Sequence, residues 1–294
     1  MTRPEDRPVT TTPAPTVVEL DRATPTPVEL TLHRAADAAA PAVLVVPAMS
    51  MRASFYAPLL EALPEAGVHA GVVELRGHQR RPAPRPGRRH DHGYADLVGD
   101  LDAAVDAVRD LLPRARVLTL GHSLGGHVVA AHAALHPGTV DGAALVATGS
   151  VDWRAWNAWH LLRTQAALAA TTVLGHFPGD RVGFAGREAP TQMTEWARWA
   201  RTGRLVVGDP PVEVDALAAR VDLPMLALSF AGDALAPAAT TDRLVDLFPR
   251  ARVTREHVHL DTRRPHFDWV RHPALALDHL VGWAGRVSAG SPPR

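Results

Sequence analysis

Five consecutive residues, Gly121, His122, Ser123, Leu124 and Gly125, set a serine between two glycines in the spacing Gly-x-Ser-x-Gly. The residues before them, Val117 to Leu120, read as a strand, and those after, through Val128, Val129 and His132, read as a helix. A serine at so tight a strand-to-helix turn takes strained backbone angles, and side chains two residues on either side would collide with neighbouring backbone. Gly121 and Gly125 remove those side chains. The turn lifts the hydroxyl above a sheet edge and sets it at a helix N-terminus, where free N–H groups stabilise developing negative charge. That is the setting of a nucleophile in acyl transfer. With this composition the pattern arises by chance roughly 0.04 times per chain, so an idle glycine turn is the weaker reading.

A nucleophilic serine needs a general base and an acid to orient it, which follow in the chain order Ser, Asp or Glu, His. Asp233 stands in Ala231–Pro237, at the carboxyl end of a strand over 224–230, and His266 stands in a loop between the last strand and the final helix. The chain has 16 histidines, so position has to decide among them. His257 and His259 fall inside the last strand and His272 leads into the helix, which leaves His266. The oxyanion formed by attack needs two N–H donors: that of Leu124, after the nucleophile, and one from the turn Pro47-Ala48-Met49-Ser50, where Met49 is preferred over Ala48 and Ser50.

These residues require a frame of alternating strands and helices. Strands are expected over 17–20, 28–33, 42–46, 69–75, 116–120, 142–146, 224–230 and 252–259, the first two as an antiparallel hairpin. Helices are expected over 56–65, 94–112, 124–135, 239–247 and 273–284. In the second helix Leu97, Leu101, Val105 and Val108 recur at helical spacing, with Asp100, Asp102, Asp106 and Arg109 on the wet face. The pattern predicts an α/β architecture with a mostly parallel sheet of eight strands. From 151 to 221 the alternation stops and helical character takes over, apart from a short strand-like run at 205–207. This stretch is expected to be a cap set into a core of 17–150 and 222–287, between a disordered arm (1–16) and a flexible tail (288–294). It carries Trp153, Trp156, Trp159, Trp196 and Trp199, which either dock the cap or wall a substrate pocket.

Charge balance, 31 basic against 31 acidic residues, gives no field that would draw the chain to nucleic acid. The absence of cysteine excludes disulfides, thiolate metal sites and a cysteine nucleophile. The stretch 155–174 is too polar for a membrane span, and the N-terminus lacks a secretory pattern, so the protein is expected in the cytoplasm. The arginines and prolines of 76–89 read as a solvated loop rather than a phosphate site. His90-Asp91-His92 and His257-Val258-His259 lack a completed ligand set, so no metal or cofactor is expected.

With Pro47-Ala48-Met49, Arg76-Gly77, Gly121-His122-Ser123-Leu124-Gly125-Gly126, Phe177-Pro178-Gly179 and His266-Phe267, the chain resembles the α/β-hydrolase superfamily, and within it a bacterial group of serine hydrolases with a Trp-rich cap. The resemblance implies that fold and the triad Ser123, Asp233, His266. Two departures are Ser50, where relatives tend to have glycine, and a longer, arginine-rich loop after Gly77. Some members of the fold carry the acid after the sixth strand, where Asp152 stands here; Asp152 also reads as a helix N-cap. The expected activity is cleavage of a small-molecule carboxylic ester or thioester through an acyl-enzyme on Ser123. The rivals are an acyltransferase or biosynthetic thioesterase, and a ligand-binding pseudo-hydrolase. Ser123 at the elbow excludes the dehalogenase and epoxide-hydrolase chemistry that uses an aspartate nucleophile.

Overall fold

The computed structural model describes residues 14–290 except 23, 25 and 26. The first thirteen residues of the expected arm and residues 291–294 of the expected tail lie outside the described residues. Runs that are apolar at every position, such as Ala42–Val46, have to be covered on both faces, and this makes them central parallel strands. Eight strands form one sheet: β1 (Thr16–Glu19), β2 (Glu29–His33), β3 (Ala42–Val46), β4 (His69–Val73), β5 (Val117–His122), β6 (Gly142–Val146), β7 (Pro224–Phe230) and β8 (Arg252–Val258). Their order across the sheet is β1-β2-β4-β3-β5-β6-β7-β8. β1 pairs with β2, and β2 with β4, antiparallel; every later pairing is parallel. All eight expected strands are present, three with the expected ends and the others with ends shifted by at most two residues.

The two faces of the sheet feed two cores. On β3, Ala42, Leu44 and Val46 enter one core while Val43 and Val45 enter the other, and β6 and β7 alternate in the same way. The first core is closed by α2 (Tyr94–Leu111) and α3 (Leu124–Leu135), the second by α1 (Ala57–Glu65), α9 (Pro265–Arg271) and α10 (Leu277–Gly290). Between β6 and β7 lie α4 (Ala158–Leu174), α5 (Gly179–Val182), α6 (Pro190–Thr202) and α7 (Val214–Ala218), and α8 (Ala238–Val245) follows β7. Phe177–Pro178 pairs with Arg187–Glu188, and Val206–Val207 with Val212–Glu213, as two short ribbons. No helix among the described residues is long and apolar enough to cross a membrane.

Three local expectations are corrected. The end of the chain holds two helices where one was expected, because Pro265 opens α9 at the first helical position, where its fixed φ fits and its missing N–H costs nothing. His266 therefore sits in a helical first turn rather than a loop. Asp100, expected on the wet face of α2, is buried and accepts two bonds from Arg76, at 2.6 and 2.7 Å, and one from Arg22 at 2.9 Å. The last helix also runs through Ser288 to Gly290, within the expected tail. The arginine-rich loop is pinned from several sides: besides Arg76, Arg81 lies 2.8 Å from the buried Glu29, and the Arg88 guanidinium donates to the Thr172 carbonyl at 2.9 Å.

Candidate active site

Strand order reverses beside β3, where the chain leaves one half of the sheet for the other, and ligands in open α/β sheets bind outside the strand ends at such a point. Val46 is in register with Gly121, so the turns that leave β3 and β5 emerge side by side. Ser123, at φ 53° and ψ −117°, is the one-residue hinge between β5 and α3. A side chain at Gly121 would overlap the backbone of Gly125 and Gly126, and one at Gly125 would overlap the carbonyls of Val46 and Pro47. The turn is further tied by Ser123 N–H to Val146 O at 3.2 Å and by the Thr148 hydroxyl to Ser123 O at 3.1 Å. Thr148 was not anticipated; nothing in its sequence context separates it from any other threonine after a strand.

Asp233 and His266 meet directly: His266 Nδ1 lies 2.8 Å from Asp233 Oδ2. The other carboxylate oxygen of Asp233 accepts the N–H groups of Leu235 at 2.8 Å and Ala236 at 3.1 Å, so the carboxylate is held by its own loop. This geometry leaves His266 Nε2 as the nitrogen turned away from the acid, and both His266 and Ser123 line one cavity of about 850 Å³. Asp152 is elsewhere. It caps a short helical turn through Arg154 N–H at 3.1 Å, its side chain is fully buried, and it lies 3.0 Å from the Arg154 guanidinium and 3.2 Å from that of Arg243.

Two buried histidines flank the serine in sequence, each bonded to one of the chain's 2 tyrosines. Tyr56 Oη accepts Ala48 N–H at 2.8 Å, so its own proton goes to His122 Nδ1, also at 2.8 Å. Burial first, and the neighbouring His266 second, push the His122 imidazole well below the usual histidine range. It stays neutral and adds no second positive charge beside His266, 5.0 Å away between ring centres. His127 Nε2–H donates to Gly149 O at 2.9 Å, its Nδ1 lies 3.1 Å from Tyr94 Oη, and burial lowers it to about 4.

The Ala48 N–H is committed to Tyr56, while the Met49 N–H has no acceptor among the described residues and Met49 faces the cavity. Leu124 is the first residue of α3, where N–H groups have no intrahelical acceptor. Ser50, beside Met49, sits at φ 63°, the left-handed region that favours glycine. Here hydrogen bonds hold the strained residue: its Oγ accepts Gly186 N–H and donates to the buried Glu188. Glu188 also accepts from Gln192 Nε2 at 3.1 Å, and His78 Nε2 lies 3.2 Å from it without the alignment of a hydrogen bond. Glu188 thus joins the turn after β3 to the segment between β6 and β7. A glutamate in a polar stretch gives no sequence signal of that role.

Of the five tryptophans, Trp156 and Trp196 line the cavity and Trp153, Trp159 and Trp199 do not. Trp156 stacks on His160 at 4.3 Å. Trp199 is fully buried against His127, Trp153 lies under the Arg154 guanidinium, and Trp159 points to solvent, 63% exposed. The aromatic wall expected from all five is a wall of two, because Trp153, Trp156 and Trp159 do not share one helix: Trp153 opens a short 3-10 turn that ends at Trp156, and Trp159 stands in the first turn of α4.

Residues 37–260 match the family described as serine aminopeptidase, S33. Among solved structures, the fold is similar to a highly thermostable carboxyl esterase from Bacillus coagulans, with a TM-score of 0.62, 14% identity, and coverage of 92% of this chain and 99% of that one. A monoacylglycerol lipase from Paleococcus ferrophilus has a TM-score of 0.60 at 15% identity, with coverage of 90% and 99%. A carboxylesterase from Nitrososphaera gargenis has 0.58 at 17%, with coverage of 91% and 98%. Comparison with curated proteins returns no match.

Proposed function

We propose, for a chain that belongs to the serine aminopeptidase S33 family and has the α/β-hydrolase fold, a cofactor-free serine hydrolase acting on a carboxylic ester or thioester. Ser123 Oγ attacks the carbonyl as His266 Nε2 takes its proton. Met49 and Leu124 N–H groups receive the oxyanion, and collapse of the tetrahedral intermediate expels the alcohol or thiol, protonated by His266. Water then enters by the same route, and the acid leaves with Ser123 restored. Asp233 holds His266 in the tautomer with Nδ1–H and stabilises the imidazolium. The segment 151–221 acts as the cap over this reaction.

The observation that carries the reading is the bond of 2.8 Å between His266 and Asp233 at a cavity shared with Ser123. A fluorophosphonate probe, followed by intact-protein and peptide mass spectrometry, tests it. Labelling is expected at Ser123, and Ser123→Ala is expected to abolish labelling and turnover with little change in melting temperature. Labelling that survives in Ser123→Ala overturns the assignment, and a folded wild type that never labels favours the binding-protein rival.

A further inference from the structure

The cavity contains one permanent charge. Among its lining residues there is no aspartate or glutamate and one arginine, Arg163, for which the described residues provide neither an ion pair nor a hydrogen bond. α4 itself offers it no counter-charge: it stands in the second turn from the helix N-terminus, and no acidic residue occupies the first turn. Its charge reaches the cavity wall: the partly buried His160, stacked on Trp156, is held below the usual histidine range by burial and then by Arg163. The helix face along the cavity runs from His160 and Arg163 to Ala167 and Ala170, over about 15 Å at 1.5 Å per residue. One end of that wall is polar and positive; the other, continued by Phe177 and Phe184, is apolar.

We infer that this cavity selects amphiphilic esters bearing a carboxylate, which Arg163 holds at the α4 N-terminal end while the apolar part lies along Ala167, Ala170 and Phe177. A guanidinium matches a carboxylate through two parallel N–H donors, and Arg163, itself exposed while lining the cavity, has no partner among the described residues to give up first. The same charge disfavours the substrate class named by the family description. An aminopeptidase has to hold a free N-terminal ammonium, and a cavity with an arginine and no carboxylate repels one. The inference rests on Ser123 as the nucleophile and names what that site accepts.

Two pairs of esters test it in a pH-stat assay on the full chain. One pair carries the charge on the acyl side: the monoethyl ester of adipic acid against ethyl heptanoate. The other carries it on the alcohol side: the butyrate ester of 4-hydroxybutyrate against pentyl butyrate. In at least one pair the anionic member is expected to be favoured about two- to fivefold in kcat/KM, mainly through KM, and by less at high salt. Arg163→Gln is expected to bring that ratio close to one, and Arg163→Glu to invert it. Ratios unchanged by Arg163→Gln in both pairs overturn the inference. Binding is read separately from chemistry in Ser123→Ala, where the adipate monoester should change Trp156 fluorescence saturably and more weakly once Arg163→Gln is added; equal titrations in the two backgrounds overturn it as well. Failure of the serine assignment shows instead as absent fluorophosphonate labelling, so the two failures are distinguishable.

Discussion

On the sheet side of the cavity Ser123, His127 and His266 are each fixed by backbone geometry or a buried partner, while on the α4 side Trp159 and Leu162 face solvent and Arg163 has no counter-ion among the described residues. The first wall holds His266 against Asp233 at hydrogen-bond length and Ser123 at the hinge between β5 and α3. The second presents surface, and the two are joined where Glu188 meets Ser50. Reaction geometry is lost when a buried hydrogen bond is misplaced, whereas selection among substrates depends on which side chains line the far wall. If this division is right, substitutions on the first wall change kcat by orders of magnitude and those on the second change substrate preference by small factors.

The largest effect compares two buried aspartates, Asp233 behind His266 and Asp152 away from the cavity. Asp233→Asn is expected to lower turnover on the order of 10³- to 10⁴-fold by favouring the wrong His266 tautomer. Asp152→Asn, which strips a buried carboxylate from Arg154 and Arg243, is expected to cost less than about tenfold in rate. Its cost should appear as a lower melting temperature, because the partner charges lose their anion. Side-by-side kinetics and thermal melts decide the matter, and the opposite ranking moves the acid to Asp152.

Stability should depend on pH through the buried histidines of α3. His127 and His132 are lowered to about 4 by burial, against about 6.5 for an unfolded histidine. The unfolded chain therefore binds more protons below pH 6.5, and the stability that neutrality confers is present above about 6.5 and lost as pH falls through about 4, on the order of 3 kcal/mol for each group. Urea midpoints measured from pH 7.5 down to 4 should fall, and His132→Gln, remote from the cavity, should flatten the curve by its share. A flat profile for the wild type would mean that these imidazoles are not kept neutral by the fold.

The sheet was legible because burial on both faces leaves a mark in composition: β3, β6 and β7 are apolar at nearly every position, and no helix-period reading fits runs so short. That Asp233 and His266 would meet at the cavity of Ser123 was legible because strand ends fix where the loops leaving the sheet can be, so position did the selecting. What escaped depends on tertiary placement. Tyr56 and Tyr94 were not singled out, although each fixes a histidine beside the elbow, since a tyrosine's hydrogen-bond partner is set by packing. Asp100 was read as solvated because helical period gives the face and not what covers it, here Arg76 from another loop. The tryptophans misled for a related reason: attraction to burial says that a ring is covered, not which cavity it faces.

The joint between the walls should respond to an intermediate degree. Glu188→Gln keeps the shape but weakens the charge-assisted bond that holds Ser50 in its left-handed conformation, and so loosens the adjacent Met49 N–H. A fall in kcat of about tenfold with KM nearly unchanged is expected from the proposed role of the Met49 N–H, which is to act on the oxyanion and not on the bound ester. Ser50→Ala should give a similar loss, and the double variant no more than the larger single one. A change confined to KM would show that Glu188 shapes the substrate wall instead.

The smallest effects belong to the tryptophans, and they separate lining from packing. Trp156 and Trp196 face the cavity, so Trp156→Ala should shift the chain-length optimum in an acyl series of two to twelve carbons and lower the preference for long over short chains by about three- to tenfold. Trp159, exposed to solvent, should leave the series unchanged when replaced by alanine. Trp199 lies wholly buried against His127, so Trp199→Ala should cost stability, about 3 to 5 kcal/mol for a large core residue, before it alters any preference. The three variants thus distinguish a ring that contacts substrate from one that faces water and one that fills the core. Equal rates on acetyl and dodecanoyl esters in the wild type would show that Trp156 and Trp196 bound the cavity without gripping the acyl chain, and the selective part of the far wall would then reduce to Arg163 and its neighbours.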